Sequence, residues 1–432
     1  MPQVMKQLFA PTNKDLRGRI LFTLGALLIF IVGTAIRVPG TQDIAGSLGF
    51  LELLNTMGGG ALKQFSIFAL GVMPYITASI IMLLLQMDII PYFSELAKQG
   101  PTGRQKINQI TRYIGIIFAF VEGFAFSFAF LGNHATAFDH MYVAVIMTAG
   151  TSFLMWLSDQ ITQKGIGNGM SLIIMAGIIA ELPQMFIEAF KGLIINSSIS
   201  QILGIVLFIL FVVVYFLIVI GVIFVQEADR KIPIQYANKS TAGRGNESYM
   251  PFKINSAGVV PVIFASSLLT IPAAIAGFVK NETFTNIVNQ YLSFTTPVGF
   301  MIYIVLIFLF GFIYTFIQMR PDELAKNLQQ NGGYIPGIRP GKDTENYVSK
   351  VLTRLNVVGS IFLVIIAGLP IIFTALINMV NGVSLPATVT IGGTGLLIVV
   401  GVALETYKQI EGSILARSYK KGYKRRWLIY YF

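Results

Sequence analysis

Ten stretches of this chain are apolar for long enough to cross about 30 Å of hydrocarbon, which excludes most folds at once. They lie at 20–36, 68–85, 114–131, 141–157, 170–187, 202–225, 259–279, 298–317, 357–380 and 385–404. Only 12% of the residues are charged, about half of what a soluble domain carries. A core this large could not be covered from water with so few polar groups, so lipid must surround it. The 42 glycines and 17 prolines, many inside the apolar runs, fit membrane helices, where neighbouring helices re-satisfy freed backbone groups. The expected fold class is an all-α integral membrane protein with ten transmembrane helices.

The basic residues orient it. With the N-terminus inside, 27 of the 31 Lys and Arg fall on the cytoplasmic side, leaving Arg37, Lys63, Lys191 and Lys280 outside. This positive-inside bias places both termini in the cytoplasm. The net charge of +11 then faces anionic headgroups, acidic protein patches or ribosomal RNA on that one side. No cleavable signal peptide is expected, since Arg37-Val38-Pro39 follows the first apolar run. A split near 195/196 puts five spans in 1–195 and five in 196–432. Halves with an odd number of spans enter the membrane in opposite directions, as in inverted-repeat transporters. Two long cytoplasmic segments, about 226–253 and 319–354, and a basic tail at 405–432 complete the second half.

Chemistry at depth is scarce. The chain has no cysteine, and His134 and His140 sit together in a short outer loop, so no metal site or cysteine nucleophile is expected. No catalytic residue or cofactor is read from the sequence. Gly165-Ile166-Gly167-Asn168-Gly169 lacks the spacing and preceding strand of a dinucleotide loop. Glu122 stands alone in the middle of the third span. It could serve proton-coupled transport, but no second intramembrane acid or base forms a relay, which favours a polar contact between helices. Ile76 and Ile80 are four apart, as are Met170 and Ile174, so each pair stacks on one helical face. A glycine-led segment, Gly58-Gly59-Gly60-Ala61-Leu62, is too short to span and too apolar for an exposed loop. A re-entrant element buried in protein suits it.

Several runs closely resemble one family. Phe68-Ala69-Leu70-Gly71-Val72-Met73-Pro74-Tyr75-Ile76-Thr77-Ala78-Ser79-Ile80-Ile81 resembles the second-span signature of SecY, the channel subunit of the bacterial protein translocase. Gly165 to Ser171 is similar to the start of that family's fifth span, and Asn255 to Ser267 to its seventh. Ile335-Pro336-Gly337-Ile338-Arg339-Pro340-Gly341 matches its loop between spans eight and nine, and Gly392 to Val400 resembles its tenth span. The matches keep the family's order through most of the chain.

The resemblance implies two inverted-topology halves of five helices around a central hourglass pore with a plug and a lateral gate. Its aliphatic pore ring falls on Ile76, Ile80, Met170, Ile174, Ile263 and Ile398, where Met170 departs from the usual branched aliphatic. Apolar side chains at a constriction exclude water and ions yet hold no passing segment. The plug would be 56–66, including Gly58, Gly59, Gly60, Ala61 and Leu62. The lateral gate would carry Thr77, Ser79, Ser266 and Ser267 as polar contacts that break and reform, with Glu122 nearby where relatives more often have a neutral amide. Arg339, Lys231 and Arg244 would dock the motor or the ribosome. The implied partners are the small membrane subunits SecE and SecG, the motor ATPase SecA, the ribosome, signal-bearing preproteins and membrane lipid. The implied location is a bacterial plasma membrane. The loop at 226–253 is less basic than in relatives, which keeps open an accessory paralogue with a narrow substrate set. A proton-coupled solute transporter using Glu122 is the reading from another class.

Overall fold

A computed structural model describes residues 14–41, 52–131, 136–196, 199–236, 248–279, 282–293, 296–379, 383 and 385–430. The first half contains α1 (Lys14–Thr34), the short α2 (Glu52–Met57), α3 (Met73–Leu84), α4 (Pro91–Lys98), α5 (Pro101–Phe130), α6 (Ala137–Lys164) and α7 (Gly169–Phe190). The second begins with α8 (Gln201–Glu227), β1 (Asp229–Tyr236), β2 (Ser248–Lys253) and α9 (Val260–Val279). It continues through α10 (Glu282–Ile287), α11 (Pro297–Met319), α12 (Pro321–Gln330), β3 (Gly333–Tyr334), α13 (Lys342–Asn378) and α14 (Ala387–Tyr430).

Among the described residues, α1, α5, α6, α7, α8, α11 and α13 are long and apolar enough to cross a membrane, and α3 with α4 meets the same test as one bent pair. Local signals set the ends. Pro74 occupies the first turn of α3, where a missing N–H is harmless. The Asn168 side chain caps α7 by accepting from the amides of Met170 and Ser171. Thr136 and Asp139 form a reciprocal capping box on α6.

The structure corrects two outlines. The second apolar run, expected as helix over 68–85, is a series of turns until Met73. Gly71 takes a left-handed φ of +56°, which ends any helix approaching from Phe68. The all-α expectation also misses a three-stranded antiparallel sheet in the order β2-β1-β3. Its β1 alternates, with Ile232 and Ile234 buried and Lys231, Pro233 and Gln235 exposed. Ile232 faces Met250 in β2, and Gln235 pairs with Tyr334 in β3. Ile232, Phe252 and Ile335 close over Val348 and Leu352 of α13, forming a small core apart from the helical bundle. The described parts of the two long segments therefore form one unit.

Helices α1, α3, α5, α6 and α7 pack among themselves, as do α8, α9, α11, α13 and α14. The two sets meet along two seams: α9 lies against α3 and α5, while α14 lies against α7.

Candidate functional site

The six residues expected at the pore ring come from four helices and belong to one apolar core. Ile76 and Ile80 of α3, Ile174 of α7, Ile263 of α9 and Ile398 of α14 are buried in one aliphatic and aromatic cluster, with half-buried Met170 packed against it. Both helix sets contribute to that core. Side chains of this kind offer no directed hydrogen bond, and a cation or a polar solute finds no ligand among them.

The glycine-led segment is buried in the helical bundle. Ala61, Leu62 and Phe65 are almost fully enclosed, as are Asn55 and Ser66. Its backbone folds on itself: the amide of Gly60 donates to the Asn55 carbonyl at 2.9 Å, and that of Lys63 to the Asn55 side-chain oxygen at 2.9 Å. Gly59 and Gly60 have φ of +69° and +78°, conformations that glycine adopts without steric penalty. Phe65, at φ +47°, is the single non-glycine residue in that region among those described. A two-rung contact fastens the far end, with the Val38 amide donating to Phe65 O and the Ile67 amide to Ile36 O, both at 2.9 Å. Phe68 then stacks between Phe30 of α1 and Phe153 of α6, at centroid distances of 6.3 and 5.9 Å. Every backbone group anchored in this way is one that hydrocarbon does not have to accommodate.

The residues expected at the gate lie on α3, α5 and α9, the helices of one seam, but three of their hydroxyls do not reach across it. Ser79 donates to Tyr75 O at 2.8 Å, Ser266 to Val262 O at 2.9 Å and Ser267 to Ile263 O at 2.8 Å, each within its own helix. A serine in an apolar helix bonds the carbonyl one turn back when no partner offers more. Thr77 is buried. Glu122 lies one residue before Gly123, where α5 closes on Ala144 of α6. No hydrogen-bond or ion-pair partner for Glu122 is found among the described residues. At the sheet end of this seam, a cleft of ≈ 430 Å³ opens between Gln86, Arg104 and Asn108 on one side and Tyr314, Gln318 and Arg320 on the other.

Of the expected docking residues, Lys231 stands exposed on β1 and Arg339 exposed on the turn before α13. The Arg339 carbonyl accepts from the Thr344 hydroxyl at 2.8 Å, which fixes the backbone and leaves the guanidinium outward. Arg244 lies outside the described residues. The sequence reading misses several contacts. Arg112 and Asp159 form an ion pair between α5 and α6. Ser127 Oγ lies 2.9 Å from His140 Nδ1, but it donates to Phe124 O, so no activated nucleophile results. Gly177 and Glu181 of α7 face the glycine-led segment, and their four-residue spacing was the available signal.

Two helix sets meeting along two seams give the fold of a protein-conducting membrane channel. A structure described as a protein-conducting channel matches with TM-score 0.65 at 21% identity, covering 91% of this chain and 92% of that one. A structure concerning the SecY plug domain, its closed state and membrane seal matches with TM-score 0.64 at 21% identity, over 91% and 92%. In sequence, the SecY family pattern matches residues 66–407. The protein translocase subunit SecY of Staphylococcus epidermidis is 47% identical over 428 residues, covering 95% of this chain and 97% of that one. The chain belongs to the SecY family. Its function is that of a translocase subunit, a channel through which proteins cross or enter the membrane.

Proposed function

We propose that the chain crosses a bacterial plasma membrane ten times, as two inverted halves of five spans (1–195 and 196–432), with both termini cytoplasmic. Between the halves runs an hourglass pore for unfolded, signal-bearing preproteins. Ile76, Ile80, Met170, Ile174, Ile263 and Ile398 form its gasket, and the segment 56–66 is the plug. The seam of α3 and α5 against α9 is the lateral gate, through which apolar segments pass into lipid. SecE and SecG complete the complex, while SecA and the ribosome dock on the sheet-bearing loops through Lys231 and Arg339, with Arg244 contributing outside the described residues. The observation that carries this reading is the burial of the gasket's aliphatic side chains from four helices in one apolar core that also takes in Leu62 and Phe65 of the segment, with Met170 packed against it.

A solute carrier would require convergent polar groups in that place, whereas Ser266 and Ser267 beside Ile263 spend their hydroxyls on carbonyls of their own helix. Reconstitution with the partner subunits and motor is expected to give ATP-dependent uptake of a signal-bearing preprotein. Absence of that uptake beside robust uptake of a small solute would overturn the reading. Glu122 is assigned to tuning the gate, from its place on α5 in this seam. Replacing it, as Glu122→Gln, should change the selectivity for signal sequences; unchanged selectivity would remove it from the gate's control. An accessory role with a narrow substrate set is the second reading, and depletion separates the two by whether general export fails.

A further inference from the structure

The glycine-led segment does not merely rest in the bundle; it is seated on one face of α7 by contacts that only glycine permits. A carbon added at Gly177 would stand 3.0 Å from the Gly59 nitrogen and 3.0 Å from the Met57 carbonyl carbon. One added at Gly59 would stand 3.2 Å from Gly177 Cα. The backbones of segment and helix are therefore in direct contact. Four residues along α7, on the same face, Glu181 lies over the next glycine. A carbon at Gly60 would be 3.4 Å from the Glu181 carboxyl carbon and closer still to its Oε1. The same carboxylate borders a void of ≈ 10 Å³, room for one water, shared with Thr56, Gln184 and Gly392 of α14. It thus occupies the junction of segment, α7 and α14.

We infer that Glu181 is the latch of the seal: its carboxylate holds the Gly58–Leu62 turn against α7 in the idle channel and sets how readily that turn is released. The inference rests on reading 56–66 as the plug. The carboxylate acts by position and takes no part in conduction. A release step breaks the Glu181 contact, slides a glycine backbone off Gly177 and frees the buried Leu62 and Phe65 side chains. That combination suits a segment which must seal firmly yet move when a chain arrives.

The chain has no native cysteine, so an engineered pair reports cleanly. A carbon at Gly59 would lie 3.7 Å from Ala180 Cβ, within the range a disulfide requires, and the reduced pair is the reference for the strain a side chain brings at φ +69°. The experiment uses the complete complex in lipid vesicles and bilayers, comparing the native chain, Glu181→Gln, the Gly59→Cys/Ala180→Cys pair, and that pair combined with Glu181→Gln. The latch predicts that Glu181→Gln raises idle ion conductance by about tenfold, the weight of one lost charge-assisted contact. It also predicts slower oxidation of the cysteine pair. Unchanged conductance together with an unchanged oxidation rate would overturn the latch. Oxidation of the pair should block preprotein uptake until reductant is added. If uptake persists while the pair is fully oxidised, the plug reading itself fails, whatever Glu181 does.

Discussion

Gly150 of α6 offers the sharpest test of how the glycine-led segment is held. A β-carbon there would stand 2.9 Å from the Ile67 carbonyl carbon, nearer still to its oxygen, and 3.3 Å from the Phe68 ring. Unstrained carbon contacts lie at about 3.5–4.0 Å, so the segment must retreat by about 0.6 Å or more. The obstructing atoms are backbone, so no rotamer change relieves the clash. Retreat would strain the hydrogen bond from the Ile67 amide to Ile36 O and the stacking of Phe68 between Phe30 and Phe153. Overpacking of this kind costs about 1–3 kcal/mol. Alanine is itself the better helix former by up to about 1 kcal/mol, so the proper comparison is a second Gly→Ala change. Gly25 of α1 is exposed, with nothing within 4 Å of an added carbon. Gly150→Ala should therefore fall below Gly25→Ala in thermal denaturation of the purified complex, by about 2–4 °C for each kcal/mol. Equal midpoints for the two variants would refute the packing argument.

Phe252→Ala should loosen the sheet by about 3–5 kcal/mol, because Phe252 is enclosed against α13 in a core that faces water at its margins; proteolytic nicking near 229–253 reads this directly. Tyr215→Phe removes the 2.6 Å bond from the α8 hydroxyl to Val389 O of α14. It should destabilise the complex by about 0.5–1.5 kcal/mol, visible as faster thermal inactivation. Arg339→Ala should leave the melting midpoint unchanged, since only the backbone of Arg339 supports the turn, while motor-driven uptake falls sharply. A parallel loss of stability and uptake would reassign that arginine to the fold.

What was legible in the sequence follows from what hydropathy reports. Runs such as 202–225 announce α8 because apolar length alone decides whether a helix can cross. The same measure cannot distinguish helix from buried turn, so Phe68 to Val72 reads as the start of a span although Gly71 and the anchored Ser66 hold it in turns. The strands are masked by Asp229, Arg230 and Lys231, and by Pro233 within β1; the alternation of Ile232 and Ile234 is the signal that survives. The gate serines illustrate a different limit. A motif places them on facing helices, but a hydroxyl's direction depends on competition between its own backbone and a neighbour. Glu181 reads only as the ragged end of the fifth span, because its significance comes from Gly60, more than a hundred residues away in the chain.

The three-stranded sheet has a mechanical meaning. Its first strand leaves α8 after a single residue, its second leads through a short turn into α9, and its third precedes α13. The Ile254 amide reaches the Ala228 carbonyl at 3.0 Å, fastening the base of the hairpin where it meets the bundle. A partner gripping this hairpin holds a handle attached to three helices at once, including the one that forms a wall of the seam. Load applied to the sheet is thereby delivered to α8, α9 and α13 directly, without passing through the lipid-facing surface.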